Sequence, residues 1–225
     1  MLNSSGAGSV VGFQLGFGGH LTHLKDATSF LTANVTGGAS LAISPDGHFL
    51  AVTERLANNN DVFQIQPNGL LAPIVVIPSP DPVAFSVTFA PNGSAIFSET
   101  GPADANDGSA ISSYSILSTG KLASISQGIP TLGAANCWNV VTPDETKVYV
   151  SNAGSSTISG FAIGPKGTTT VFADSKHCVI IQGHIFAFFV DKLADERSLA
   201  ALAGAMSMTT GVSARAVVTR LAENL

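Results

Sequence analysis

The stretch AISPDGHFLAVTE, residues 42–54, sets an apolar run, a Pro-Asp-Gly turn and a second alternating run that ends on a polar residue. The phrase returns as TFAPNGSAIFSE at 88–99 and as VTPDETKVYVSN at 141–152, with the turn prolines Pro45, Pro91 and Pro143 spaced by 46 and 52. Proline presets φ for the first turn position and glycine accepts positive φ, so these phrases predict two short strands joined by a tight turn. A second phrase keeps the same period. GFQLGFGGHL, VFQIQPNGLL, SYSILSTGKL and GFAIGPKGTT align on Phe13, Phe63, Tyr114 and Phe161, at spacings of 50, 51 and 47. Six residues after each aromatic stands Gly19, Gly69, Gly120 or Gly167.

Within one unit, SLAIS (40–44), HFLAVTE (48–54), DVFQIQ (61–66) and LLAPIVVI (70–77) predict four strands, with PNG at 67–69 as a hairpin turn. Four antiparallel strands per repeat of this length are the signature of a β-propeller blade. One blade cannot bury both of its faces, so neighbours must stack. A β-sandwich also offers short strands with regular turns, but it does not require near-identical units. The expectation is an all-β chain. It is an incomplete β-propeller of about three full four-stranded blades plus partial blades, over residues 1–172. The first unit opens part-way, because NSSGAGSVVGFQL at 3–15 matches NAGSSTISGFAI at 152–163. An open arc leaves an apolar blade face at each end, so self-association through exposed blade edges is expected.

Residues 173–225 do not continue the repeat. CVIIQGHIFAFFV at 178–190 predicts an apolar hairpin, and DERSLAALAGAM and SARAVVTRLAENL predict a short α-helical C-terminal tail, with Ser213 as an N-cap.

Charged residues make up 11% of the chain and the net charge is -5, so there is no basic field to hold nucleic acid or an anionic membrane. The longest apolar stretch falls short of the roughly 20 residues of a spanning helix, and no signal peptide is visible, so a soluble chain is expected. Cys137 and Cys178 are too few for a disulfide framework and read as apolar fillers. GFGG at 16–19 is neither a phosphate loop nor a dinucleotide fingerprint, so no cofactor is expected. His20 and His23 fall on opposite faces of a strand, so no metal site is expected.

The phrases ISPDGHFLAVTE, TPDETKVYVSN and VFQIQPNGLL resemble those of the lactonase-type seven-bladed propellers, over about residues 3–172. That group includes 6-phosphogluconolactonases, carboxymuconate cyclases and the wider YVTN-repeat proteins. The resemblance implies hydrolysis of a sugar lactone such as 6-phosphogluconolactone in an axial pocket, with a small lactone or sugar-acid ligand. It equally admits a muconate-lactonising cyclase, or a non-catalytic scaffold that binds protein or glycan.

Glu54, Glu99 and Asn152 close the second strand of their blades and should ring the axis. Lactone hydrolysis needs a base for water and a cation or donor for the oxyanion. Glu54 or Glu99 is the candidate base, Arg55 its electrostatic partner, and Asn152, Trp138 and Asn139 the candidate substrate contacts. The competing role for the two glutamates is that of solvated strand-end residues. In active relatives the inner strand often carries a histidine about six residues before the turn proline. Here Ala39-Ser40, Phe85-Ser86 and Cys137-Trp138 stand there, which counts against catalysis. Arg55 is the only Lys or Arg between Lys25 and Lys121. That scarcity favours a binding scaffold or an inactive relative.

Overall fold

The structure is a computed structural model describing residues 1–171, apart from 103, 104 and 106, together with the strand backbone of 178–181 and 184–187. Alternating apolar runs broken by Pro, Asn, Asp and Gly produce strands in antiparallel order. β1 (Leu2–Asn3), β2 (Ser9–Leu15) and β3 (Leu21–Phe30) form a first sheet. β4 (Gly38–Ile43), β5 (Phe49–Glu54) and β6 (Asn59–Gln64) form a second. Two four-stranded sheets follow in simple sequence order: β7 (Ala84–Phe89), β8 (Ala95–Glu99), β9 (Ala110–Ile116) and β10 (Leu122–Pro130), then β11 (Asn136–Val141), β12 (Lys147–Asn152), β13 (Thr157–Ile163) and β14 (Thr169–Val171). β4, β7 and β11 are the inner edges of successive sheets and pack beside one another. The sheets are propeller blades in an open arc.

Three apolar joints hold the arc. Val10 and Leu31 meet Leu50, Val52 and Phe63 between the first and second sheets. Ala51 meets Val87, Ala95, Phe97 and Tyr114 between the second and third. Ala90, Ile96 and Ile111 meet Val148, Val150 and Phe161 between the third and fourth. Phe63, Phe97 and Phe161 are among the largest fully buried side chains, each contributing about 1.5–3 kcal/mol by leaving water. The aromatic that marks the repeat in the sequence thus sits in a joint in three of its four copies, as Phe63, Tyr114 and Phe161.

One predicted strand is weaker than expected. Over 70–77 the chain makes isolated bridges, Ile65↔Leu71 and Val62↔Val75, with Asn59↔Pro78 just beyond. Pro73 and Pro78 have no N–H to give to a ladder, so the second blade ends in a broken fourth strand.

Two features repeat at the top of every inner strand. A register shift leaves an extra residue between Gly38 and Ser40, between Ala84 and Ser86, and between Asn136 and Trp138. The residue before each inner strand is left-handed: Gly37 (φ 61), Val83 (φ 65) and Ala135 (φ 52). Each accepts at its carbonyl from the residue after the second strand, Arg55, Thr100 or Ala153.

Beyond the repeat, β15 (Cys178–Ile181) and β16 (His184–Ala187) pair as a hairpin, from Cys178↔Ala187 to Ile181↔His184, that lies against β13. The helices expected farther along lie outside the described residues.

Candidate functional site

The ends of β5, β8 and β12 make three equivalent corners, since Glu54 pairs with Gly38, Glu99 with Ala84 and Asn152 with Asn136. All three side chains are fully buried. The Glu54 carboxylate accepts from the Thr32 N–H at 2.9 Å, from the Thr32 hydroxyl, and from Asn59 Nδ2 at 3.3 Å. Thr32 belongs to the segment that leaves the preceding sheet, so Glu54 ties one blade to the next. Asp61 stands diagonally across β5 and β6 on the same face, opposite Val52. Burial first, and then the Glu54 charge, push the Asp61 carboxyl up to about 8, and neither Asp61 oxygen makes a hydrogen bond of good geometry. A buried pair of like charges keeps one proton.

Glu99 has no such donors. The N–H groups of Leu31, Ser79 and Thr131 make the same bond at successive corners, to Gly8, Asn58 and Ser109. The residue after Ser79 is Pro80, where Thr32 follows Leu31. Across the ladder Glu99 faces Ala110, where Glu54 faces Asn59. Neither Glu99 oxygen makes a hydrogen bond of good geometry. Burial pushes its carboxyl well above the usual range, with Asp81 adding to the rise and the nearby Ser112 hydroxyl opposing it. At Asn152 the corner is neutral: Nδ2 donates to Thr157 Oγ1 at 3.1 Å and to Ser159 Oγ at 2.8 Å, and Ser159 Oγ donates to the Thr131 carbonyl.

Asn139 also serves a joint. Its Nδ2 donates to Ser98 Oγ at 2.8 Å, to Ser86 Oγ at 3.2 Å and to the Ile96 carbonyl at 3.4 Å, reaching from the fourth sheet to the third. Trp138 is different: 36% exposed, it meets Phe85 edge-on with ring centroids 5.6 Å apart. These two rings stand on neighbouring inner strands at the bulged end. Phe85, which the sequence places with Ala39 and Cys137 ahead of the turn proline, is the extra residue of its bulge. Arg55 is exposed at the same end, just past Glu54, and makes no ion pair among the described residues. Of the histidines considered for metal, His23 stacks edge-on against Phe13 and His20 precedes β3. No group of three potential metal-binding side chains occurs among the described residues.

At the opposite end, where the Pro-Asp turns lie, a cleft of about 700 Å3 spans three sheets and is lined by Ser44, Asp46, Asn92, Ser115 and Lys166. The turn carboxylates Asp46 and Asp144 are held below their usual range, mainly by the hydroxyls of Ser44 and Thr142.

No family model matches the sequence, and no curated protein matches it significantly. Solved structures do. A candidate 6-phosphogluconolactonase of Bacteroides fragilis superimposes with a TM-score of 0.61 at 14% identity, covering 77% of this chain and 53% of its own. A candidate 6-phosphogluconolactonase of Bacteroides uniformis gives 0.53 at 19% identity, over 76% and 55%. A protein of Lactobacillus plantarum gives 0.58 at 16% identity, over 76% and 53%. The chain shares its fold with these solved structures. This chain spans about half the length of the solved structures it matches. In this fold the bulged end gathers Trp138, Phe85 and Arg55, while Glu54, Glu99, Asn152 and Asn139 are held within the joints between blades.

Proposed function

We propose that the bulged end of the inner strands binds a sugar lactone or its sugar acid, with hydrolysis of the lactone ring as the associated reaction. The observation that carries this reading is the Trp138–Phe85 pair, two rings on adjacent inner strands with the indole open to solvent. The apolar face of a sugar ring stacks on an indole, whose N–H remains free to donate. Arg55 is the cation at that end for a carboxylate, a phosphate or the developing oxyanion. In the reaction, water adds to the lactone carbonyl, the ring C–O bond breaks, and the departing oxygen takes up the proton. Glu99 is the base on this reading, since no hydrogen bond of good geometry occupies its oxygens. To act it must lose its proton and meet water.

A second reading is favoured by the full burial of both glutamates: the same surface holds its ligand without turning it over. Trp138 is the only tryptophan, so its fluorescence reports ligand directly. Titration with gluconolactone and 6-phosphogluconate, beside a pH-stat assay on 6-phosphogluconolactone, separates the readings. Saturable quenching with ring opening above background, lost in Trp138→Ala, supports the lactonase. Quenching with background ring opening selects the binding scaffold. No quenching by either compound overturns both.

A further inference from the structure

The joint between the second and third sheets holds polar side chains that lack partners, and they gather around Glu99. Glu99 and Ser112 stand diagonally across β8 and β9 on one face, the face whose Phe97 and Tyr114 pack against Ala51 of the second sheet. Ser112 Oγ accepts from the Gly128 N–H at 3.0 Å. Asp81 reaches the same glycine, its Oδ2 lying 2.8 Å from the place a Cβ on Gly128 would take. Both the Ser112 hydroxyl and the Asp81 charge act on the Glu99 carboxyl. Two acids and a hydroxyl thus form one cluster, in which neither Glu99 oxygen makes a hydrogen bond of good geometry.

A second observation comes from the facing sheet. Asn60 pairs with Thr53, whose hydroxyl donates to the Phe85 carbonyl at 2.7 Å, so Asn60 also looks across the joint. Phe85 follows Ala84, the residue opposite Glu99, which brings the Thr53–Asn60 row level with Glu99. Asn60 is fully buried, and neither its carbonyl oxygen nor its NH2 has a partner. Buried polar groups are costly to leave unpaired, so this cluster calls for a ligand. No ammonium or guanidinium supplies it. Arg55 is the only Lys or Arg between Lys25 and Lys121, and neither Asp81 nor Glu99 makes an ion pair among the described residues.

We propose that a Ca2+ ion binds between the second and third sheets, held by the carboxylates of Glu99 and Asp81, with Ser112 Oγ, Asn60 Oδ1 and water completing its shell. The chemistry on offer is all oxygen, and Ca2+ takes carboxylates, amide carbonyls and water in a flexible shell. Two carboxylates balance its charge. Asp81 is half-buried, which opens the site to solvent and to bound water. Pro80 and Pro82 on either side of Asp81 fix the backbone that presents it. At the preceding joint the Glu54 oxygens are already taken by Thr32 and Asn59, so the ion belongs beside Glu99 and not there. It ties the two blades together, a role independent of lactone turnover.

Calorimetric titration of the full, chelator-treated chain with Ca2+, beside thermal melts with and without the ion, tests this. The wild type should show a single saturable site and melt at a higher temperature with Ca2+. Glu99→Gln and Asp81→Asn should each weaken binding about tenfold or more, because affinity follows the charge of the ligand set, and should cancel the rise in melting temperature. Asp46→Asn, which removes an exposed turn carboxylate, should leave both readings unchanged. A wild type without saturable binding overturns the proposal. So does binding that survives Glu99→Gln and Asp81→Asn, or that is lost equally in Asp46→Asn. Should one variant fail to fold in chelator, the wild-type titration and the other variant still decide.

Discussion

Two corners of the same design, one at Glu54 and one at Glu99, have opposite chemistry. Each glutamate ends the second strand of its sheet, faces the start of the inner strand and is fully buried. Around Glu54 the chain supplies a backbone N–H, a hydroxyl and an amide, and a second carboxyl, Asp61, that holds a proton. Around Glu99 the same places are taken by Pro80 and Ala110, and the carboxyl is driven towards its neutral form. The lesson is that a buried acid's character is set by residues one turn and one strand away. Repeat position alone does not define it.

The pH dependence of stability should show the largest effect. Asp61 and Glu99 bind protons more tightly in the folded chain than in the unfolded one. Their contribution is therefore fully present below the unfolded carboxyl range. For Asp61 it is lost as pH rises from about 4 to about 8, at up to about 1.4 kcal/mol per pH unit for one proton. Urea midpoints should fall over that window. Asp61→Asn should flatten the slope, and an unchanged slope would mean that the group does not titrate there.

Next in size is the paired substitution. Glu54→Gln places an NH2 where donors converge and should cost about 1–3 kcal/mol. Glu99→Gln should cost nothing at pH 8 and can stabilise, because it removes an acid without partners. Equal losses by chemical denaturation would abolish the distinction between the corners.

Sharpening the contrast is a smaller matter. Ala110→Asn copies the position of Asn59, and its amide should donate to Glu99 and bring the carboxyl back towards the ordinary range, read by the midpoint of its titration. The smallest effect concerns the left-handed residue before each inner strand. Val83 holds a β-branched side chain at φ 65, where Gly37 stands in the preceding sheet. Val83→Gly should be neutral or stabilise by about 1 kcal/mol, whereas Gly37→Val should destabilise, both read from thermal midpoints.

Much of this architecture was legible in the residues. Pro45-Asp46 and Pro143-Asp144 announced the turns, and the structure shows why: Ser44 and Thr142 hydroxyls bond the Asp46 and Asp144 carboxylates at 2.5 Å. The period marked by Phe63 and Phe161 announced the joints they fill. Strand ends shifted by one or two residues, and 70–77 failed to form a continuous strand for a local reason, its prolines.

The corners were not legible. Alternation puts Glu54 at a strand end but says nothing of Thr32, which arrives from the preceding blade. Asn139 likewise reads as a pocket residue until the neighbouring sheet brings Ser86 and Ser98 to it. Both environments are made between units, and a repeat pattern describes the unit. The register of Phe85 with Cys137 was legible in the repeat, whereas its contact with Trp138 is made between neighbouring sheets.

The claim on which the account rests is that the strand-end carboxyls are sealed inside the joints between stacked sheets. Carbon-detected NMR titration of the side-chain carboxyls tests it directly. Asp61 should titrate with a midpoint near 8 and Glu99 well above the ordinary range. Midpoints for both near 4, those of a solvated carboxylate, would contradict it.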